Sequence, residues 1–299
     1  MRRSAGCASP ARPATEGTVQ VGGASRRYLL ALPGDLRAPA PVVFDLHGLG
    51  EPAALEAAYT RLGPIGTAAG MIVVTPASDN PQNSWAYPIL DPKDANFVAA
   101  ILDQLEATRC VDPSREVAAG ISNGAGLADG LVCALNGRLA AIFPVAGVNI
   151  LRPCTTARPT TVIAFHGTAD ELVPYAGGVP FSGVKGGPVA QRLSRLISPQ
   201  ERALFNRIRL QPVETAVGAY AQQFGCSGPT VTQPARGITL RTYAGCSSNA
   251  TVALSTIDGG GHTWPGGTGG GAESALGMTT QAISASRIIV DTVKGLRTR

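Results

Sequence analysis

Three short stretches of the chain carry residue types suited to nucleophilic acyl transfer. The first is Arg115 to Gly126, with Ser122 at the centre of Gly120-Ile121-Ser122-Asn123-Gly124. A short apolar strand, Val117 to Ala119, precedes it, and a helix-compatible segment, Leu127 to Leu135, follows. This is the pattern of a nucleophile elbow, where small residues two positions either side of the serine permit a sharp strand-to-helix reversal. Such a turn exposes the Ser122 hydroxyl and aims the Asn123 backbone N–H at the group it attacks. The second stretch is His166-Gly167-Thr168-Ala169-Asp170, directly after a predicted strand. The third is Asp258-Gly259-Gly260-Gly261-His262-Thr263-Trp264-Pro265, after another. A serine, an acid and a histidine in that order can open an ester: the imidazole takes the hydroxyl proton, and the carboxylate holds the imidazole tautomer.

Each signal is weak by itself. With 37 glycines in 299 residues, a G-x-S-x-G match arises readily by chance. Asp170 alone reads equally well as a helix cap. The glycines around His262 predict a mobile, exposed loop, a poor place for a structural imidazole and a good one for a proton shuttle. Taken together, the three follow the serine, acid, histidine order of α/β-hydrolases, each in a loop after a strand. His47 and His166, the other two histidines, lie at strand ends beside glycine. Asp258 is the rival acid, only four residues from His262. Gly48-Leu49-Gly50 ends a buried strand, so the Leu49 N–H is a candidate second oxyanion donor beside that of Asn123. Trp85 and Trp264 are candidates for stacking on an aromatic acyl group.

These residues need a parallel sheet beneath them. Thr18 to Val21 and Arg27 to Leu32 read as a strand pair; Pro41 to His47 and Met71 to Thr75 read as buried strands. Pro52 to Leu62 is helical in pattern. Asp94 caps a predicted helix whose apolar stripe is Phe97, Val98, Ile101, Leu102 and Leu105. Further strands are expected at 140–145, 160–165, 238–243 and 252–257. A helix is expected at 213–224, and a closing helix carries Ala282, Ala285, Ile289 and Val293. Between 183 and 211 the rhythm breaks. There Ser198-Pro199-Gln200-Glu201 forms a capping box before Leu204, Phe205 and Ile208, a surface insertion or a lid.

Composition bounds the class. Charged residues make up 15% and hydrophobic residues 44%, suited to one large globular domain. The net charge of +5 comes mostly from scattered arginines, and aromatics are 5%, which argues against a nucleic-acid binder. No run of about 18 apolar residues predicts a membrane span. Residues 1–16 read as a disordered tail or the remnant of an export tether. Within it Ser4-Ala5-Gly6-Cys7 resembles a lipobox, making Cys7 a candidate lipid anchor. Six cysteines with no C-x-x-C pair, beside three histidines, favour disulfides over zinc and imply an oxidising compartment, secreted or cell envelope. Six cysteines allow fifteen connectivities; Cys133 with Cys154 and Cys226 with Cys246 would close short loops, which leaves Cys110 either Cys7 or no partner.

The chain resembles the secreted esterases of the polyhydroxybutyrate depolymerase and feruloyl esterase group, LpqC-type lipoproteins included. The resemblance runs over most of residues 17–295. It rests on Leu46-His47-Gly48-Leu49-Gly50, Cys110 to Arg115, and Gly120 to Gly124. It rests also on His166 to Asp170 with Val173-Pro174-Tyr175, and on Gly259 to Gly267. It implies an α/β-hydrolase fold, with Ser122 as nucleophile, His262 as general base, Asp170 as its acid, and no cofactor or metal. Ala125 stands where relatives usually have glycine, and the 183–211 stretch is longer. The expected activity is hydrolysis of feruloyl-type or hydroxyalkanoate esters, small or polymer-derived, by a monomer. The rivals are a non-catalytic surface lipoprotein and a serine peptidase of the same fold.

Overall fold

The computed structural model describes residues 2–8, 13–36, 38–197, 202–203, 206–268 and 276–296. Ten strands form one sheet: β1 Glu16–Val21, β2 Ala24–Ala31, β3 Ala40–Leu46, β4 Ile72–Pro76, β5 Val111–Ile121, β6 Ala141–Val145, β7 Thr161–Gly167, β8 Thr230–Ala235, β9 Ile238–Tyr243 and β10 Val252–Ile257. The spatial order is β1-β2-β4-β3-β5-β6-β7-β10-β9-β8. The six central strands, β4 to β10 in that order, run parallel, and an antiparallel pair closes each edge.

The helices are α1 Ala53–Thr60, α2 Leu62–Ala68, α3 Lys93–Thr108, α4 Asn123–Ala134, α5 Gly187–Leu196, α6 Val213–Gln223 and α7 Ala285–Gly295. They cover both faces of the sheet, so the parallel strands read as continuous apolar runs and all seven residues of β3 are buried. Side chains alternate between the two faces. Val42, Phe44 and Leu46 pack with Phe97 of α3, Leu127 of α4 and Val213 of α6. Val43 packs on the other side with Leu62 of α2 and Ile289 of α7.

Several sequence expectations shift. The helix expected over 52–62 is two helices, because Arg61 between them takes a left-handed φ of 53°. Asp94 does not cap α3: it lies inside the first turn, buried, with Oδ1 2.7 Å from Arg26 and Oδ2 accepting from Ala86 N at 2.7 Å. Strand β8 was not expected, since this exposed edge strand lacks apolar alternation and contains Pro234. The capping box at 198–201 and Leu204 and Phe205 lie outside the described residues.

The N-terminal stretch is docked where described. Ser4 N donates to Val111 O at 3.1 Å, and Cys7 is disulfide-bonded to Cys110. That sulfur is therefore spent, and a thioether lipid on Cys7 is incompatible with the bond. The other two disulfides are Cys133–Cys154 and Cys226–Cys246, as the short loops suggested. Among the described residues no helix is long and apolar enough to cross a membrane.

Candidate active site

β5 delivers Ser122 into the turn before α4. The serine holds φ 57° and ψ −119°, a conformation that non-glycine residues rarely adopt. Two contacts hold it there: Ser122 N donates to Val145 O at 2.9 Å, and Gly126 N donates to Ser122 O at 3.0 Å. The flanking glycines are sterically required. A Cβ at Gly120 would come 2.6 Å from the Gly124 backbone, and one at Gly124 would meet the Leu46 and His47 carbonyls. The chain thus turns hard against the end of β3. It brings the loop after β3 alongside the serine, so that a Cβ at Gly48 would lie 3.7 Å from Ser122 Cβ. Leu49 follows directly, half-buried in that loop.

Asp170 follows β7 and His262 follows β10, neighbouring parallel strands whose carboxyl ends point the same way. His262 Nδ1 donates to Asp170 Oδ2 at 2.8 Å. His166 Nε2 lies 3.3 Å from the same oxygen and 2.8 Å from Val173 O. A carbonyl can only accept, so Nε2 of His166 carries a proton. Asp170 Oδ1 accepts from Leu172 N and Val173 N, both at 2.9 Å. Burial pushes the Asp170 carboxyl up, but the His262 charge and the hydrogen bonds from His166 and His262 outweigh it. The group stays well below the usual carboxylate range.

Nδ1 of His262 is thereby committed, and Nε2 is the nitrogen left for proton transfer. No hydrogen bond joins the Ser122 hydroxyl to His262 among the described residues. Such contacts are often long before substrate binds. Asp258, the rival acid, is exposed and outside the pair.

The stretch from Gly260 to Trp264 that holds His262 is buried, although Asp258 and Gly259 before it are exposed. His262 is 4% exposed, its N–H donates to Leu276 O at 2.7 Å, and Gly261 N donates to Met278 O at 2.9 Å. Its glycines allow close packing: a Cβ at Gly261 would strike Leu276 O, and one at Gly260 would come 2.7 Å from Ile257. Tight packing, and not mobility, explains the glycine run.

Neither tryptophan offers a stacking face. Trp264 is fully buried in the core against α7, its indole N–H donating to Ser286 Oγ at 3.0 Å. Trp85 is 4% exposed, with its ring 4.3 Å from that of His47. The expectation of an aromatic platform fails at both because their rings are already covered.

His47 and His166 are the residues that sequence reasoning set aside. His47 Nδ1 lies 2.9 Å from Gly48 O, and Nε2 accepts from Ser78 N at 3.4 Å. Burial lowers its ring to about 4, the Gly48 hydrogen bond offsetting only part, so it is neutral at pH 7. The available signal was position: each stands at a parallel strand's carboxyl end, just before glycine.

No family model matches the chain. NocK of Nocardia uniformis subsp. tsuyamanensis, named as an esterase, is 29% identical over 95% of this chain and 85% of its own length. Feruloyl esterase C of Emericella nidulans is 28% identical over 55% of this chain and 62% of its own. Feruloyl esterase B of Piromyces equi is 29% identical over 58% of the chain, which spans 29% of that protein's length. Among solved structures, the acetyl xylan esterase from Aspergillus awamori superposes with a TM-score of 0.60 at 12% identity, covering 84% of this chain and 94% of that one. At that identity the likeness speaks for the fold. The chain is a carboxylic ester hydrolase of α/β-hydrolase fold, similar over about half its length to feruloyl esterases.

Proposed function

We propose that Ser122 is the nucleophile, His262 the general base and Asp170 its orienting acid, in a serine esterase that works through an acyl-enzyme. The observation that carries this reading is the buried Asp170–His262 hydrogen bond of 2.8 Å, at the carboxyl ends of parallel strands in the sheet whose β5 ends in Ser122 at φ 57°. Ser122 Oγ attacks the ester carbonyl as its proton passes to His262 Nε2. Asp170, ionised and gripped by four donors, stabilises the imidazolium without taking its proton. The Leu49 and Asn123 N–H groups receive the oxyanion, a donor of this kind being worth roughly 10² to 10³ in rate. Collapse expels the alcohol, which takes the proton from His262. Water, deprotonated by the same imidazole, then releases the acid and restores Ser122. No step calls for a metal or organic cofactor.

For substrate we infer feruloyl-type aromatic esters, on the names of the relatives, with hydroxyalkanoate esters as the alternative. We infer that residues 17–299 act as one catalytic domain, and the three disulfides support a secreted or envelope location. We infer that the described part of 183–211 acts as a lid beside the loop after β3. Its α5 places Leu196 against Gly50, where a Cβ would collide with it, and Gly183 abuts Glu171, beside Asp170. Deleting 188–210 should change the acyl chain-length preference; an unaltered preference would reject the lid.

The test of function compares wild type with Ser122→Ala on p-nitrophenyl butyrate, then wild type on methyl ferulate, acetylated xylan and hydroxybutyrate oligomers. A loss of about 10⁴-fold or more in the variant is expected. Equal rates in both would favour a binding protein, and turnover of peptide anilides a peptidase.

A further inference from the structure

A continuous run of hydrogen bonds leads from the serine's neighbour to the loop opposite it. The Asn123 side chain reads both backbone groups of Trp85: Oδ1 accepts from Trp85 N at 2.6 Å and Nδ2 donates to Trp85 O at 3.2 Å. Nδ2 also donates to Tyr87 Oη at 3.0 Å. From Trp85 the run crosses to β3, where the indole Nε1–H donates to His47 O at 2.8 Å and the ring packs on the imidazole. His47 then turns forward. Its Nδ1 must carry the proton, because Gly48 O at 2.9 Å can only accept and Nε2 is already an acceptor for Ser78 N. The same outer loop holds the next residue too, with Gly50 N donating to Asn83 O at 3.0 Å.

The geometric consequence lies in the Gly48–Leu49 peptide. In a trans peptide the N–H points opposite to the preceding C=O. Gly48 O, anchored on the His47 side and also accepting from Glu51 N at 3.3 Å, therefore turns the Leu49 N–H away from His47. The Asn123 N–H at the other end belongs to the residue whose side chain anchors Trp85. We propose that His47 and Trp85 are positioning residues, joined with the Asn123 side chain in one clamp that holds the Leu49 and Asn123 N–H groups as a preformed oxyanion hole. Neither His47 nor Trp85 touches the substrate. The proposal rests on the reading of Ser122 as nucleophile and accounts for two fully covered rings that the proton-transfer chemistry does not use.

An oxyanion donor held slightly off its direction weakens the transition state more than the ground state, so the signature is a fall in kcat with little change in KM. The variants are His47→Gln, which has no donor at the Nδ1 position, His47→Asn, whose side-chain amide places one there, and Trp85→Phe, which keeps a ring but loses the N–H. Ser122→Ala is run beside them on p-nitrophenyl butyrate. His47→Gln and Trp85→Phe should lose about 10- to 100-fold in kcat with KM within about threefold, and His47→Asn should recover most of the loss. Affinity for a trifluoromethyl ketone, whose adduct carries the oxyanion, should fall in parallel.

Wild-type kcat in His47→Gln and Trp85→Phe, with Ser122→Ala inactive, would overturn the clamp and leave the nucleophile standing. An Asn variant no better than Gln, or a rise in KM at unchanged kcat, would overturn it also. An active Ser122→Ala would instead remove the reading beneath it. Should the variants not fold, nitrogen NMR of the wild type at pH 7 decides: the clamp requires the Nδ1–H tautomer at His47, and an Nε2–H tautomer contradicts it.

Discussion

At the scale of residues, the site turns on how a buried carboxylate is kept charged. Four donors surround Asp170, two of them histidines, so it stays ionised and fixes the His262 tautomer that the proposed proton transfer needs. Asp170→Asn would let the amide offer an N–H to Nδ1 and favour the wrong tautomer. Its kcat should fall about 10³- to 10⁴-fold with the fold retained, checked by p-nitrophenyl butyrate kinetics beside a melting curve. Ser122, Asp170 and His262 stand out in the sequence because each is a reactive type in a loop after a strand, with glycine within three residues. The contact of His166 and the burial of the tryptophans do not. A sequence shows that an aromatic ring exists, and only packing shows that Trp264 faces Ser286 and that Trp85 lies on His47.

At the scale of elements, the loop after β4 is pinned from below. Asp94, at the start of α3, binds Arg26 of β2 and the Ala86 N–H, and the Arg26 guanidinium lies 3.8 Å from the centre of the Phe97 ring. Arg26 and Asp94 side chains are 3% and 0% exposed, so removing Asp94 leaves the buried guanidinium only the longer 3.7 Å contact to Asp79. Asp94→Ala should cost about 3 to 5 kcal/mol in urea unfolding. The central strands and long helices were readable because apolar runs and 3.6-residue stripes are strong signals. Strand β8 was not, since an edge strand exposed on both sides needs no pattern. The helix break at Arg61 depends on a left-handed residue that local sequence does not announce.

At the scale of the whole molecule, the disulfides and buried acids set the conditions of use. Cys7–Cys110 spans 103 residues, and on the chain-entropy account its loss costs up to about 4.7 kcal/mol. Cys7→Ser should lower the urea midpoint in non-reducing buffer, and an unchanged midpoint would show that the docked N-terminal stretch contributes nothing. Asp45, fully buried on β3, is raised to about 7 by burial, with the Thr60 hydrogen bond opposing and Glu51 adding. A carboxyl raised on folding binds more protons in the native state than in the unfolded one. Its contribution is complete below about pH 4 and is lost as pH climbs through 7. The melting temperature should therefore be higher at pH 5 than at pH 8, and Asp45→Asn should narrow that difference. An identical difference in the variant would place the pH dependence elsewhere.

The central claim is that Ser122 is an activated nucleophile, and it is tested most directly by reacting the wild-type protein with a fluorophosphonate and mapping the adduct by peptide mass spectrometry. The account predicts one stoichiometric adduct on Ser122, abolished in His262→Ala. A protein that stays unlabelled, or carries the adduct on another residue, would contradict it.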